Sequence, residues 1–143
     1  MIIPDTNLLL YATISGFPHH EVARRWWEET LSSGESIGLV APVALGFVRI
    51  ATSRRILVDP MPANVATGHV RSWLNRPTAV FLPATTDVLR RTLELLDASG
   101  AAGNLTTDAE IAAHALERDA VVATNDADFA RFPGVRTLNP LTS

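Results

Sequence analysis

Residues 2–12, "IIPDTNLLLYA", decide the fold. Two apolar residues and Pro4 run into Asp5, and the chain turns apolar again at Leu8. Residues 1–5 read as a short strand that closes at Pro4-Asp5, because Pro4 has no N–H to give a ladder. Thr6 to Ala12 read as the first turns of a helix. Asp5 is thus a carboxylate at the carboxyl end of the first strand, with apolar sequence on both sides. Burying an unpaired charge is costly, so a cation, a basic group or a helix N-terminus should compensate it.

Outward from this stretch, strands and helices alternate. Residues 19–33 form an amphipathic helix on Val22, Trp26 and Thr30 with Ala23 and Trp27 beside them, stopped by Gly34. Residues 37–40 are a strand. Pro42 suits the first turn of a helix over 42–54, with Val43, Phe47 and Ala51 on one stripe and Leu45, Val48 and Ile50 filling around it. A helix over 63–75, a strand over 79–82 and a helix over 84–98 follow, the last with Val88, Leu89, Thr92, Leu95 and Leu96 inward and Gly100 closing it. Thr106 or Thr107 caps the next helix, with Glu110 completing a capping box after Thr107. Its apolar stripe is Ile111, Ala112, Ala115 and Leu116. Residues 121–123 are a fully apolar strand, "TNDADF" opens a brief helical segment, and 135–138 are a last strand. Short apolar strands separated by helices predict an α/β fold, a three-layer α/β/α sandwich on a mainly parallel sheet.

The chain has 143 residues and is 47% hydrophobic, which suits one domain over 1–143 with one core. It contains no cysteine, which excludes disulfides and thiolate metal sites. No apolar run approaches the ~20 residues of a membrane span and no leader opens it, so a cytoplasmic protein is expected. Net charge is −3, without a global basic footprint for nucleic acid. All 12 basic residues are arginine, several of them adjacent: Arg24 and Arg25, Arg54 and Arg55, Arg90 and Arg91. Such pairs read first as solvated helix faces.

In parallel sheets, sites form beyond the carboxyl ends of the strands. Asp5 ends strand one, Asp126 and Asp128 follow the strand at 121–123, and Asp108 opens the helix before it. Four aspartates therefore have routes to one end of one sheet. Carboxylates sharing a site must protonate or hold a cation. Hard oxygen ligands suit Mg²⁺, with Mn²⁺ as a substitute, and such an ion activates water and stabilises the oxyanions of an in-line phosphodiester displacement. Each acid also has a plainer reading. Asp5 and Asp126 could be helix N-caps, and Asp108 and Asp128 first-turn acids favoured by the helix dipole. The histidines show no zinc spacing.

Three segments also carry a resemblance: "DTNLLLYA" at 5–12, "GNLTTDAEIAAHALE" at 103–117 and "VVATNDADFARFPGVRTLNPL" at 121–141. Together they resemble the PIN-domain ribonucleases, specifically the VapC-type toxins of toxin–antitoxin pairs. The resemblance implies a metal-dependent endoribonuclease, usually a homodimer, that cuts RNA and is neutralised by a small VapB-like antitoxin. It implies Asp5, Asp108 and Asp126 as catalytic, the same three with Asp128 as metal ligands, and Thr6, Asn7 and Thr124 as supporting polar positions. There is one departure. These toxins usually carry a glutamate in the helix after the second strand, whereas no acid lies between Glu35 and Asp59 here and Gly46 stands at the aligned place. Arg49, nearby, would either contact an RNA phosphate or neutralise the acids directly.

Two other classes compete. A phosphoacceptor or phosphatase fold also places an aspartate after strand one, but such sites recruit a lysine and this chain has none. A PIN fold that has lost catalysis, acting only through its partner, is the alternative that Gly46 raises. Trp26, Trp27 and Trp73 are either core or, where exposed, a groove for an antitoxin helix or a dimer face.

Overall fold

A computed structural model describes residues 1–100 and 102–142. Five strands pair in parallel in the order β3-β2-β1-β4-β5. The chain runs β1 (Ile2–Pro4), α1 (Thr6–Thr13), α2 (His20–Ser32), β2 (Ile37–Leu39), α3 (Ala41–Ala51) and α4 (Ala63–Leu74). It continues through β3 (Ala79–Phe81), α5 (Thr86–Ser99), α6 (Thr106–Arg118), β4 (Val121–Ala123) and β5 (Arg136–Leu138), with 3₁₀ turns at Gly103–Leu105 and Ala127–Arg131. Helices α1 to α4 connect strands stepping one way across the sheet, and α5 and α6 connect the return step. Right-handed crossovers put these two groups on opposite faces, which gives the three layers expected of the alternating pattern.

The central strand β1 is flanked by β2 and β4, so the direction of winding reverses between β1 and β4. A crevice forms there, beyond the carboxyl ends of the strands. Pro4 sits opposite Ala123, at the last paired position of β1. The chain is then tied once more to β4 by the Asp5 N–H on the Ala123 carbonyl at 2.9 Å.

The core runs through both layers. Ile3, Leu9, Ile37, Val122 and Ile111 are buried at its centre. On the α1–α4 side an aromatic group joins α2, α3 and α4. The Trp73 ring lies 4.9 Å from Phe47 and 5.8 Å from Trp27, both edge-on. Trp27 and Trp73 are therefore core, and Trp26 is half-buried beside them.

Several sequence expectations shift. The α2 stripe is rotated: Ala23, Trp27 and Thr30 are buried, while Val22 is exposed. Leu89 faces outward, leaving Val88, Thr92 and Leu95 to bury α5. Leu45 is 68% exposed and packs around no core. The capping box before α6 does not form. The 3₁₀ turn Gly103–Leu105 runs straight into the helix, Thr106 Oγ1 donates back to the Gly103 carbonyl at 2.8 Å, and Glu110 pairs with His114 instead. Among the described residues no helix is long and apolar enough to cross a membrane.

Candidate active site

Asp5 follows β1 and is buried as the N-cap of α1. Its Oδ1 accepts the Thr6 N–H at 2.7 Å, and its Oδ2 accepts the Thr124 hydroxyl at 2.9 Å. Thr124, just past β4, in turn accepts the Asp126 N–H at 3.0 Å. Asp126 caps the 3₁₀ turn Ala127–Arg131, its Oδ1 accepting the Asp128 N–H at 2.9 Å. One hydrogen-bonded chain therefore runs from the end of β1 to the turn after β4. The capping reading and the clustered reading of Asp5 and Asp126 hold together: each caps a helix and each leaves acceptor capacity facing the crevice.

Asp108 comes from the first turn of α6, half-buried. One carboxylate oxygen from each of Asp108, Asp126 and Asp128 lies within 4.8 Å of the others. Asp5 stands beside this trio and lines the same crevice with Asp108 and Asp126, in a cavity of about 400 Å³. Thr6 and Asn7 line it too, while Thr124 lies behind Asp5. Asp128, the third of the trio, makes a long ion pair of 3.6 Å to Arg131.

The electrostatics report the crowding. Burial pushes the Asp108 carboxyl up to about 7, and the charges of Asp5, Asp126 and Asp128 push the same way. Asp5 is also raised, first by burial and then by Asp126, against the lowering effect of its hydrogen bonds from Thr124 and Thr6. Carboxylates brought together and partly desolvated resist ionising unless a cation joins them. The donors are all hard oxygens, with no sulfur or imidazole among them, and this set fits Mg²⁺ or Mn²⁺.

The opposite wall is α3, which contributes Pro42, Leu45, Gly46, Arg49 and Ile50. Pro42, Leu45, Gly46 and Arg49 recur at i, i+3, i+4 and i+7, the helical face away from the buried Val43, Phe47 and Ala51. That spacing was available in the sequence, yet the cavity-lining places of Pro42 and Leu45 went unassigned because an apolar residue on a helix reads first as core. Thr107, on the rim beside Asp108, also went unassigned. Arg49 lines this wall, and among the described residues no ion pair joins it to the acids.

The histidines have other partners. His114 is buried with its Nε2 3.2 Å from Glu110, and His20 Nδ1 lies 2.7 Å from the Tyr11 carbonyl. Of the paired arginines, Arg24 bridges Glu21 and Glu28, Arg90 lies near Asp87, and Arg91 reaches Glu117.

Comparison with known proteins agrees with this architecture. The PIN domain family model matches residues 2–135. Ribonuclease VapC33 of Mycobacterium tuberculosis is 48% identical over 141 residues, covering 99% of each chain. Ribonuclease VapC37 of the same organism is 38% identical over 98% of this chain and 97% of its own. Among solved structures, Mycobacterium tuberculosis VapC20, described as a sarcin-ricin loop cleaving toxin, superposes with a TM-score of 0.70. It is 20% identical, over 95% of this chain and 99% of that one. VapBC2 from Rickettsia felis, bound to a DNA fragment from its promoter, gives 0.69 at 21% identity, over 97% and 98%. These last two show the fold. With the family model spanning almost the whole chain and full-length relatives well above 30% identity, the protein belongs to the PIN-domain family, in its VapC group of ribonucleases.

Proposed function

We propose that this protein is a Mg²⁺-dependent endoribonuclease, the toxin of a toxin–antitoxin pair, working in the cytoplasm and held in check by a VapB-like antitoxin. The observation that carries the reading is the meeting of Asp5, Asp108, Asp126 and Asp128 at the point where the sheet reverses its winding. Asp108, Asp126 and Asp128 would hold the cation, with Asp5 beside them. A divalent ion bound there supplies Lewis acidity, lowering the pKa of water and stabilising phosphoryl oxygens.

The chain's own groups do the rest. Thr124 and the Thr6 N–H hold the Asp5 carboxylate in one orientation from two sides. The Asp128 N–H does the same for Asp126. One carboxylate of the cluster would serve as general base toward the attacking water. In the net reaction the water oxygen bonds to phosphorus as a P–O bond to ribose breaks. One water proton goes to the departing oxygen and the other to solvent. Asn7, on the rim, is placed to orient substrate, and Arg49 on the far wall to meet an RNA phosphate. The VapBC assembly among the structural neighbours supports the antitoxin partner, and a homodimer is the expected toxin form.

Induced expression in a bacterial host tests the reading. Growth should arrest with the wild type and continue with Asp5→Ala or Asp126→Asn at equal protein levels. Arrest by Asp5→Ala as strong as by the wild type overturns it and favours a PIN-fold module acting through its partner, the alternative raised by Gly46.

A further inference from the structure

The acidic crevice has two unlike walls. One carries every carboxylate: Asp5 after β1, Asp108 on α6, Asp126 and Asp128 after β4. The other, α3, carries none, since Ala41–Ala51 reads "APVALGFVRIA". The α3 backbone also comes close to the site. A Cβ added at Gly46 would stand 3.2 Å from Thr6 Oγ1, tighter than ordinary contact, and Thr6 Oγ1 itself leans on the Val43 carbonyl at 3.4 Å. α3 thus brings no carboxylate to the crevice.

What does face it from α3 is Arg49, one turn beyond Gly46. Its side chain is exposed, and no hydrogen bond or ion pair holds it among the described residues. The other arginine near the acids, Arg131, is already engaged with Asp128. Arg49 thus brings an uncommitted positive charge to the rim opposite the carboxylates.

Charge balance gives this placement a consequence. Four ionised carboxylates outweigh a single divalent cation, and a phosphodiester is itself an anion. The approaching phosphate meets a net negative site unless further positive charge lies on its route. A second metal ion would need its own oxygen ligands, and α3 offers none. A guanidinium needs none, stays charged at every working pH, and presents a fork matched to two phosphoryl oxygens.

We propose that the site holds one divalent cation and that Arg49 supplies, from the opposite wall, the positive charge that a second cation would otherwise bring to the scissile phosphate. This rests on the metal-dependent nuclease reading above. Arg49 takes no proton in the reaction. It donates hydrogen bonds to the non-bridging oxygens, whose negative charge grows as the water oxygen bonds to phosphorus and the ribose oxygen departs. It is thereby a catalytic residue.

Mn²⁺ is the probe for the first half, by titration calorimetry and by loss of the free-ion electron paramagnetic resonance signal on full-length protein. Wild type and Arg49→Ala should each bind one Mn²⁺ per chain, with dissociation constants within about twofold, since Arg49 touches no ligand. Cleavage of total tRNA and of ribosomal RNA tests the second half. Arg49→Ala should lower kcat about 100-fold, the usual loss on removing one transition-state donor, while KM changes less than about threefold. Arg49→Lys should recover part of kcat. Two Mn²⁺ per wild-type chain at comparable affinity overturns the proposal, as does an unchanged kcat or a loss confined to KM in Arg49→Ala. Failure of the underlying nuclease reading looks different: wild type then binds no Mn²⁺, or Asp126→Asn cleaves as fast as wild type.

Discussion

Thr124 and Asp5, 119 residues apart, are joined by a buried hydrogen bond of 2.9 Å from Oγ1 to Oδ2. The same Thr124 oxygen accepts the Asp126 N–H. One hydroxyl thus fixes the spacing between the carboxylates that follow β1 and β4. Thr124→Val keeps the shape and removes both functions. A buried acceptor that loses its partner costs about 1–3 kcal/mol. The variant should lose that much stability in urea titrations, bind Mn²⁺ more weakly, and arrest growth less strongly than wild type. Thr124→Ser should restore all three. A Thr124→Val protein with unaltered Mn²⁺ affinity would show that the hydrogen bond only decorates the site.

Asp108 gives a pH signature. Its carboxyl is raised from 3.8 to about 7 in the fold, so between those values the folded protein holds a proton that the unfolded chain has lost. Its contribution to stability therefore falls as pH climbs through this window and levels off above about 7. Asp108→Asn carries no such penalty. Without divalent ions, this variant should melt higher than wild type at pH 8, by on the order of 3 °C, and the gap should close near pH 4. His114, held below its usual value by burial, titrates in the opposite sense but is common to both proteins and cancels. Added Mg²⁺ should narrow the gap at pH 8. Equal melting temperatures across the whole range would mean that Asp108 is not crowded by its neighbours.

The aromatic group under α3 supports the cavity wall. Trp73 packs edge-on against Phe47 and Trp27 and is almost fully buried. Trp73→Ala should destabilise the fold by about 3–5 kcal/mol, measured by chemical denaturation. A loss below 1 kcal/mol would place the indole outside the core.

The sequence carried the sheet well because its strands are short apolar runs with clear stops. Pro4-Asp5 ends β1, and Val121–Ala123 is a strand at the bounds read from the sequence. Helix faces were harder. On α2, Val22 and Ala23 are adjacent, and hydropathy favours the larger residue, while packing against α1 selects the smaller one. Leu45 and Leu89 read as core by hydropathy but are exposed: Leu89 lies on the outer surface of α5, which meets no further layer, and Leu45 lines the open crevice. The missed capping box has a local cause: the 3₁₀ turn Gly103–Leu105 supplies the first backbone geometry of α6, so no threonine cap is needed. At the crevice, the four aspartates stood out as acids following or preceding apolar strands. The Thr124–Asp5 bond could not be read as a distance, since it depends on the parallel pairing of β1 with β4. On the α3 wall, Gly46 and Arg49 were legible, while Pro42, Leu45 and Ile50 are apolar and look like core.

Gly46 faces Thr6 across a narrow gap. Gly46→Ala adds a methyl group that the Thr6 hydroxyl must yield to, while alanine gains up to about 1 kcal/mol of helix propensity. The variant should melt within a few degrees of wild type yet cleave RNA more slowly, by roughly tenfold for a displacement at the reacting groups of a fraction of an ångström. Full activity with unchanged melting would show that the space beside Thr6 is not used by substrate.

The central claim is that carboxylates from β1, α6 and the turn after β4 act together as one divalent-ion ribonuclease site. Cleavage of total tRNA and ribosomal RNA by purified wild-type and Asp5→Ala protein, in Mg²⁺ and in EDTA, tests it most directly. Cleavage in Mg²⁺ that stops in EDTA and falls at least about 100-fold in Asp5→Ala is the predicted result. Cleavage that persists undiminished in Asp5→Ala or in EDTA contradicts it.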